Sequence, residues 1–305
     1  MGISALCLFA SQGLSVSAAT IKEENIARNQ ALAIQSNEVA NWPTGPVVSA
    51  ESAILMDADT GAILYAKNIH QQEYPASTTK ILTTLIASER CSMDEIVDFS
   101  YDAVHDIDPG SNHIAIDPGE QLTMEECLNA ILIRSANEVS FAVAEHISGT
   151  TWQDFASIMN ERAKELGCVD SNFVNPNGLP NENHYTSAYD LGMIGKAFFD
   201  NKVCLQIGNC ASYHFQATST QPDDFTLTNK HELITGQVPY TGIIGGKTGY
   251  TSQAHENLVT GCERGDMKLI CVVMREDDPA QFEDTATLFD YGYENFSLQS
   301  VEQGD

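Results

Sequence analysis

Ser77 and Lys80 stand three residues apart in the segment Ser77-Thr78-Thr79-Lys80. On a helix that spacing puts both side chains on one face. A serine hydroxyl needs a base before it acts as a nucleophile, and lysine is a base only as the neutral amine. Burial and a nearby second cation both drive a lysine toward that form. Two later segments supply what such a pair lacks. In Ser135-Ala136-Asn137 the hydroxyl can relay a proton between Lys80 and a leaving amine, and the amide can grip a substrate peptide group. In Lys247-Thr248-Gly249 an ammonium and a hydroxyl together suit a carboxylate, and Lys247 is a candidate for the second cation near Lys80. The N–H groups of Tyr250 and Ser77 are candidates for an oxyanion hole, whose donors are each worth about 3 kcal/mol. Alone, each segment reads as a helix cap or a glycine-rich turn. In this order along one chain they point to serine acyl transfer with lysine in place of histidine.

The elements that must position these residues are legible in outline. Ala50 to Met56 and Ala62 to Ala66 read as a hairpin around Asp57-Ala58-Asp59-Thr60-Gly61. Pro75 precedes a helix expected from about Ser77 to Ser88, with Ile81, Leu82, Leu85 and Ile86 on its apolar face. Asp106 to Gly119, rich in turn-forming residues, is a loop. Thr123 with Glu126 matches a capping box, and Leu128, Ile131 and Leu132 continue its helix to Arg134. Further helices are expected over Glu138–Ser148, Trp152–Leu166 and Ala188–Phe199, and a last one over Asp284–Tyr293. Ser135 and Asn137 thus fall in a short connection between two helices. Glycines around Lys247 suit a strand edge that a ligand backbone approaches closely. Asn257–Cys262 and Lys268–Met274 form a second hairpin. Strands at both chain ends with helices between predict an α/β (α+β) fold with one sheet drawn from both ends.

Composition bounds the function. The 305 residues, 43% hydrophobic and 19% charged, are ample for a large core. A formal net charge of −27 excludes nucleic acid as a partner, because binding it requires a basic surface. It also disfavours electrostatic docking on an anionic membrane. Ile3 to Val16 is apolar and small, and Val16-Ser17-Ala18-Ala19 suits a signal peptidase, so residues 1–19 read as an export signal and the protein as extracytoplasmic. No segment is long and apolar enough for a transmembrane anchor. Residues 20–47 read as a helical lead-in or linker. The eight cysteines are scattered. Cys127, Cys168, Cys262 and Cys271 sit in apolar patterns as core residues, and Cys204 and Cys210 are near enough in sequence to pair. No Cys-x-x-Cys or histidine-rich spacing points to zinc.

Over roughly Val48 to Phe296 the chain resembles the serine-type D-alanyl-D-alanine carboxypeptidases, the low-molecular-mass penicillin-binding proteins. Beyond the three motifs, the resemblance rests on Tyr74–Thr83, Pro118–Thr123, Phe173–Leu179 and Gly246–Thr251. It implies a β-lactamase/transpeptidase-like fold with an antiparallel sheet and an all-helical subregion, the catalytic domain spanning 48–296. Ser77 would be acylated, Lys80 would be its base, and Ser135 and Asn137 would complete the relay and hold the substrate. Lys247 and Thr248 would meet the terminal carboxylate, and Gly249 and Tyr250 would complete the substrate-binding residues. The implied reaction removes the terminal D-alanine of peptidoglycan stem peptides in the cell wall, and β-lactam antibiotics would acylate the same serine. No metal or organic cofactor is implied. The β-rich C-terminal domain common in the family is not expected here, where residues 297–305 read as a tail.

Two positions depart from the family pattern. Ala254-His255 stands where Ala-Gly is usual, and Gln281 stands where relatives often carry a carboxylate-binding arginine, with Arg275 a candidate substitute. Two other readings therefore stay open. A class A β-lactamase shares the motifs, but Asn175–Leu179 lacks the glutamate those enzymes use to hold water. A catalytically weak β-lactam or muropeptide sensor would also keep Ser77 and Lys80.

Overall fold

The computed structural model of the chain describes residues 18–299. The export signal read over 1–19 therefore lies outside the described residues, except for Ala18 and Ala19, which open a helix ending at Gln30. The tail beyond residue 299 lies outside them as well.

The first hairpin forms as expected, from β1 (Ser52–Asp57) and β2 (Ile63–Lys67). Two short strands, β3 (Ile96–Asp98) and β4 (Gln121–Thr123), pair with each other, as do β5 (Ser212–Phe215) and β6 (Phe225–Thr228). The long strands β7 (Ile243–Thr251), β8 (His255–Arg264) and β9 (Met267–Glu276) complete an antiparallel five-stranded sheet in the order β2-β1-β9-β8-β7. The chain ends thus meet at the β1–β9 pair, where Leu55 lies opposite Cys271.

Strand alternation then decides the layers, because successive side chains point to opposite faces. Ile54 and Met56 of β1, with Ile270 and Val272 of β9, enter a core shared with the helices of the middle region. Ala53, Leu55, Leu269 and Cys271 enter a second core, under a helix over Ala280–Asn295 that supplies Phe282, Leu288 and Phe289. With both faces covered, each fully buried large apolar side chain contributes about 1.5–3 kcal/mol. The lead-in docks onto this layer: Asn29 Nδ2 donates to the Ser49 carbonyl at 3.0 Å, and Lys67 donates to the Asn29 carbonyl at 2.8 Å.

Several element limits move for identifiable reasons. The chain does not enter an α-helix at Ser77. Ala76 sits at φ +50°, Ala76–Thr79 is a 3-10 turn, and the α-helix runs over Lys80–Arg90. Both members of the capping box at Thr123 and Glu126 are made. Its helix continues through a π-helical turn, Ala130–Arg134, which ends at Ser135 in the left-handed region (φ +65°). The following helix covers Asn137–Ser148. The Trp152 helix starts only at Phe155, and the last helix begins at Ala280, four residues early. Cys204 and Cys210 are not paired: all seven cysteines among the described residues are free thiols. Cys204 points into the core, 3.2 Å from Ser88 Oγ, while Cys210 is half-buried at its helix end. Among the described residues, no helix is long and apolar enough to cross a membrane.

Candidate active site

Three elements converge on Ser77. The first is its own 3-10 turn, which delivers Lys80 to the first position of the following helix. The second is the π-helical turn and helix start that carry Ser135 and Asn137. The third is β7, the edge strand of the sheet. Gly249 shows how closely β7 approaches: a Cβ there would lie 3.0 Å from the Ser77 backbone nitrogen and 2.9 Å from that of Thr78. From the fourth side Gly178, at φ +84°, presses on Ala76, whose carbonyl oxygen a Cβ would meet at 1.8 Å. The nucleophile segment is therefore held between two glycines that no larger residue replaces without displacing backbone.

The fold brings the Lys80 amine to the Ser77 hydroxyl. Lys80 is fully buried. Its Nζ lies 3.1 Å from Ser77 Oγ, 2.7 Å from Asn137 Oδ1 and 2.6 Å from the Asn177 carbonyl oxygen. Burial, and then the Lys247 ammonium, push its amine well below the usual lysine range. A neutral amine has two N–H donors and one lone pair. The two shorter contacts, to Asn137 and Asn177, are acceptors that can only take the donors. The lone pair is left for the third and longest contact, the Ser77 hydroxyl. A neutral Lys80 in this position would have its lone pair directed at the Ser77 proton.

Asn137 therefore does a job additional to the substrate contact expected of it: its Oδ1 orients Lys80. It also lines a cavity of about 490 Å³, together with Ser77, Ser135, Thr248 and Tyr250. Ser135 Oγ is buried and has no hydrogen-bond partner within the protein. An unsatisfied hydroxyl in a strained left-handed residue is costly, and here it is free to exchange a proton with a bound group. Lys247 is 2% exposed and lies behind the wall, its Nζ donating to the Thr248 carbonyl at 2.8 Å. Burial, followed by Lys230, lowers Lys247 to about 7. Lys247 is thus the second cation expected near Lys80, while Thr248 and Tyr250 face the cavity directly. Gly249 acts through its missing side chain.

The remaining wall departs from expectation. Gln281 lines the cavity, is 3% exposed and donates to Asp278 Oδ1 at 3.0 Å, so no arginine stands at that place. Arg275 does not replace it. Its Nε bonds Glu51 at 2.9 Å, and its side chain lines a separate cavity beside Tyr74 and Tyr185. The cation that does line the Ser77 cavity is Lys230, donating to Asn112 Oδ1 at 2.6 Å. Glu232, Glu256 and Asp278 line it too. Burial, then Asp278 and Asp277, raise Glu256 to about 7, with Lys230 opposing. His255 takes the backbone conformation a glycine would, at φ +58°, and turns its ring to Asp277 at 3.5 Å, so it strains the turn without entering the cavity.

Sequence reasoning missed Asn177, Lys230 and Glu256. Asn177 acts through a backbone carbonyl, which leaves no mark in residue type, although its segment had already drawn attention. It also missed Glu138, which at 1% exposure accepts from the Ile114 N–H at 2.6 Å and so ties the Asp106–Gly119 loop beside the site. Asn112 of that loop is held by Asn137 N–H on its carbonyl at 2.9 Å.

Known proteins resemble this chain in sequence and in fold. Residues 39–278 match the family described as D-alanyl-D-alanine carboxypeptidase. The D-alanyl-D-alanine carboxypeptidase DacF of Bacillus subtilis is 35% identical over 255 residues, 83% of this chain and 64% of that protein. DacB2 of Mycobacterium tuberculosis, a D-alanyl-D-alanine carboxypeptidase by name, is 31% identical over 258 residues, 82% of this chain and 84% of that protein. Among solved structures, a D-alanyl-D-alanine carboxypeptidase from Mycobacterium tuberculosis superposes with a TM-score of 0.75 at 28% identity, covering 86% of this chain and 96% of that one. A Streptomyces DD-transpeptidase shares the fold, with a TM-score of 0.77 at 23% identity over 82% of this chain and 99% of that one. This chain spans 64% of the length of DacF, somewhat under two thirds.

Proposed function

The chain belongs to the D-alanyl-D-alanine carboxypeptidase family, and from that premise we propose that it removes the terminal D-alanine of peptidoglycan stem peptides, outside the cytoplasmic membrane, with Ser77 as nucleophile. The observation that carries the proposal is the buried Lys80 amine, pinned by Asn137 and Asn177 with its third contact on Ser77 Oγ.

The steps follow from that arrangement. The stem peptide enters the cavity with its scissile carbonyl at Ser77. Lys80 takes the hydroxyl proton as Oγ forms a bond to the carbonyl carbon. The Ser77 and Tyr250 N–H groups receive the oxyanion, and Asn137 Nδ2 holds the neighbouring peptide carbonyl. Ser135 passes the proton to the departing D-alanine amine, the C–N bond breaks, and an ester to Ser77 remains. Water then attacks the ester, Lys80 takes its proton, and that proton returns to Ser77 Oγ as the acid leaves. Thr248 meets the substrate carboxylate from the cavity wall, and the Lys247 ammonium behind it supplies the opposing charge. An anion placed there raises Lys247 back toward its charged form, which in turn keeps Lys80 neutral. β-Lactams would enter the first half of the same sequence.

The test is intact-protein mass spectrometry after penicillin, with peptide mapping, beside D-alanine release from diacetyl-Lys-D-Ala-D-Ala. The expected outcome is one adduct on Ser77, its loss in Ser77→Ala, and D-alanine release by the wild type. An adduct on any other residue refutes the assignment of the nucleophile. A stable Ser77 adduct without D-alanine release would make the protein a sensor. Nitrocefin turnover faster than about one per second, the range of ordinary enzymes, would make it a β-lactamase.

A further inference from the structure

Away from the cavity, three side chains that no step above uses come together. Cys91 caps the C-terminus of the Lys80–Arg90 helix, Glu95 lies four residues on beside β3, and His146 stands in the last turn of the Asn137–Ser148 helix. One ligand atom from each, a sulfur, a carboxylate oxygen and an imidazole nitrogen, lies within 4.8 Å of the others. We propose that Cys91, Glu95 and His146 form a binding site for a single divalent metal ion of the zinc type.

The donor set supports this choice. Thiolate, imidazole and carboxylate together suit zinc, whereas magnesium and calcium take oxygen ligands almost exclusively. Zinc bonds of about 2.0–2.3 Å in a tetrahedron need ligand atoms about 3.3–3.8 Å apart. His146 Nε2 and Glu95 Oε2 are already 3.0 Å apart, so a closure of about 1 Å by the Cys91 side chain completes the set.

The backbone beneath the site is fixed. The Cys91 N–H bonds the Ala87 carbonyl at 2.9 Å, the Ser92 N–H bonds Glu95 Oε1 at 2.6 Å, and the Met124 N–H bonds the Glu95 carbonyl at 2.8 Å. Such outer contacts orient ligands before the metal arrives. Cys91 is a free cysteine, and metal binding would release its thiol proton to solvent as the S–H bond is replaced by a metal–sulfur bond.

Position argues for a cation as well. The site lies at the C-termini of two helices, where the macrodipole favours positive charge. It also gives the ion a role. One of these helices begins with Lys80 and the other with Asn137, the pair 2.7 Å apart at the base. A metal at their far ends would clamp the two helices whose near ends hold the catalytic amine.

The test uses the full chain stripped with a chelator, titrated with zinc against a chromophoric competitor and followed by thermal unfolding. Cobalt serves as the spectroscopic probe. The expected result is one equivalent bound, a rise in Tm, and a thiolate-to-cobalt charge-transfer band. Cys91→Ser and His146→Gln should each weaken binding by at least the tenfold to hundredfold, roughly, seen when a ligand's supporting partner is removed. Both should lose the band and the rise in Tm, while metal-free unfolding and penicillin labelling show that they fold. Cys210→Ser, a half-buried thiol elsewhere, should bind as the wild type does. Zinc affinity that is unchanged in both variants, or the absence of stoichiometric binding to the wild type, would overturn the site.

Discussion

Replacing Asn137 by aspartate tests the lysine base with almost no change of shape. The Oδ1 that now accepts from Lys80 at 2.7 Å stays in place, and only the amide nitrogen becomes an oxygen. The new charge acts on Lys80 with about 332/(20 × 2.7), or roughly 6 kcal/mol, at the effective dielectric constant suited to such sites. Desolvation of the aspartate takes back part of this. If half survives, about 3 kcal/mol still raises the lysine by about two pKa units, which cuts the neutral fraction by up to about a hundredfold at pH values below the wild-type lysine's own pKa. Asn137→Asp should therefore acylate with fluorescent penicillin more slowly, by up to about a hundredfold on the acid side of the profile. Its rate should recover as pH rises, with the alkaline shift measuring the restored lysine pKa. Asn137→Ala, which adds no charge, should be slow at every pH without that shift. Stopped-flow labelling across pH separates the two. An Asn137→Asp protein with a wild-type pH profile would mean that Lys80 is not the base, whatever its distance from Ser77.

Three more outcomes follow from particular contacts. Gly178→Ala should give a protein that fails to label with penicillin or fails to fold, because the methyl must displace the Ala76 carbonyl 1.8 Å away; full labelling with unchanged Tm would show that Ala76 is not held there. Glu256, raised to about 7, is neutral below that pH and repels a substrate carboxylate above it. KM for diacetyl-Lys-D-Ala-D-Ala should thus rise above about pH 7 in the wild type and stay flatter in Glu256→Gln. At a separation of about 8 Å the effect is roughly 0.5–2 kcal/mol, or about twofold to thirtyfold; identical KM profiles would place the carboxylate elsewhere. His231 is fully buried beside Lys247, and burial followed by that cation lowers it to about 3. Unfolded, an imidazole takes its proton near pH 6.5, so between 6.5 and 3 the unfolded chain binds more protons and acid favours it. The stability of His231→Asn relative to the wild type should accordingly improve as pH falls through that window, by at most about 1.4 kcal/mol per unit. A urea-midpoint difference that stays constant with pH would contradict the neutral buried imidazole.

The residue types settle which groups are available and much of the local structure. Ser77 and Lys80 are readable because a one-face spacing is a local property of the chain. The hairpins, the Thr123 capping box and the helix ends near Ser148 and Leu166 are readable for the same reason. The location of Ser135 between two helices is local too, whereas one sheet drawn from both chain ends follows from the order of strands and helices along the chain. Its closing order, with β9 beside β1 and β7 at the edge, is a packing result that buries two apolar faces at once.

What only the tertiary structure decides is where distant groups meet. The aim of the Lys80 lone pair depends on a carbonyl at Asn177, and a backbone oxygen looks the same in every residue. Arg275 is an arginine near the expected place in sequence, yet its strand position turns it to Glu51, while Lys230 from another segment lines the cavity. The acidic wall around Gln281 and the cluster of Cys91, Glu95 and His146 arise in the same way. Short-range spacing can be read along the chain because few conformations are compatible with it. Separations in space between residues far apart in sequence are set by how the helices and the sheet pack, and no local pattern carries them.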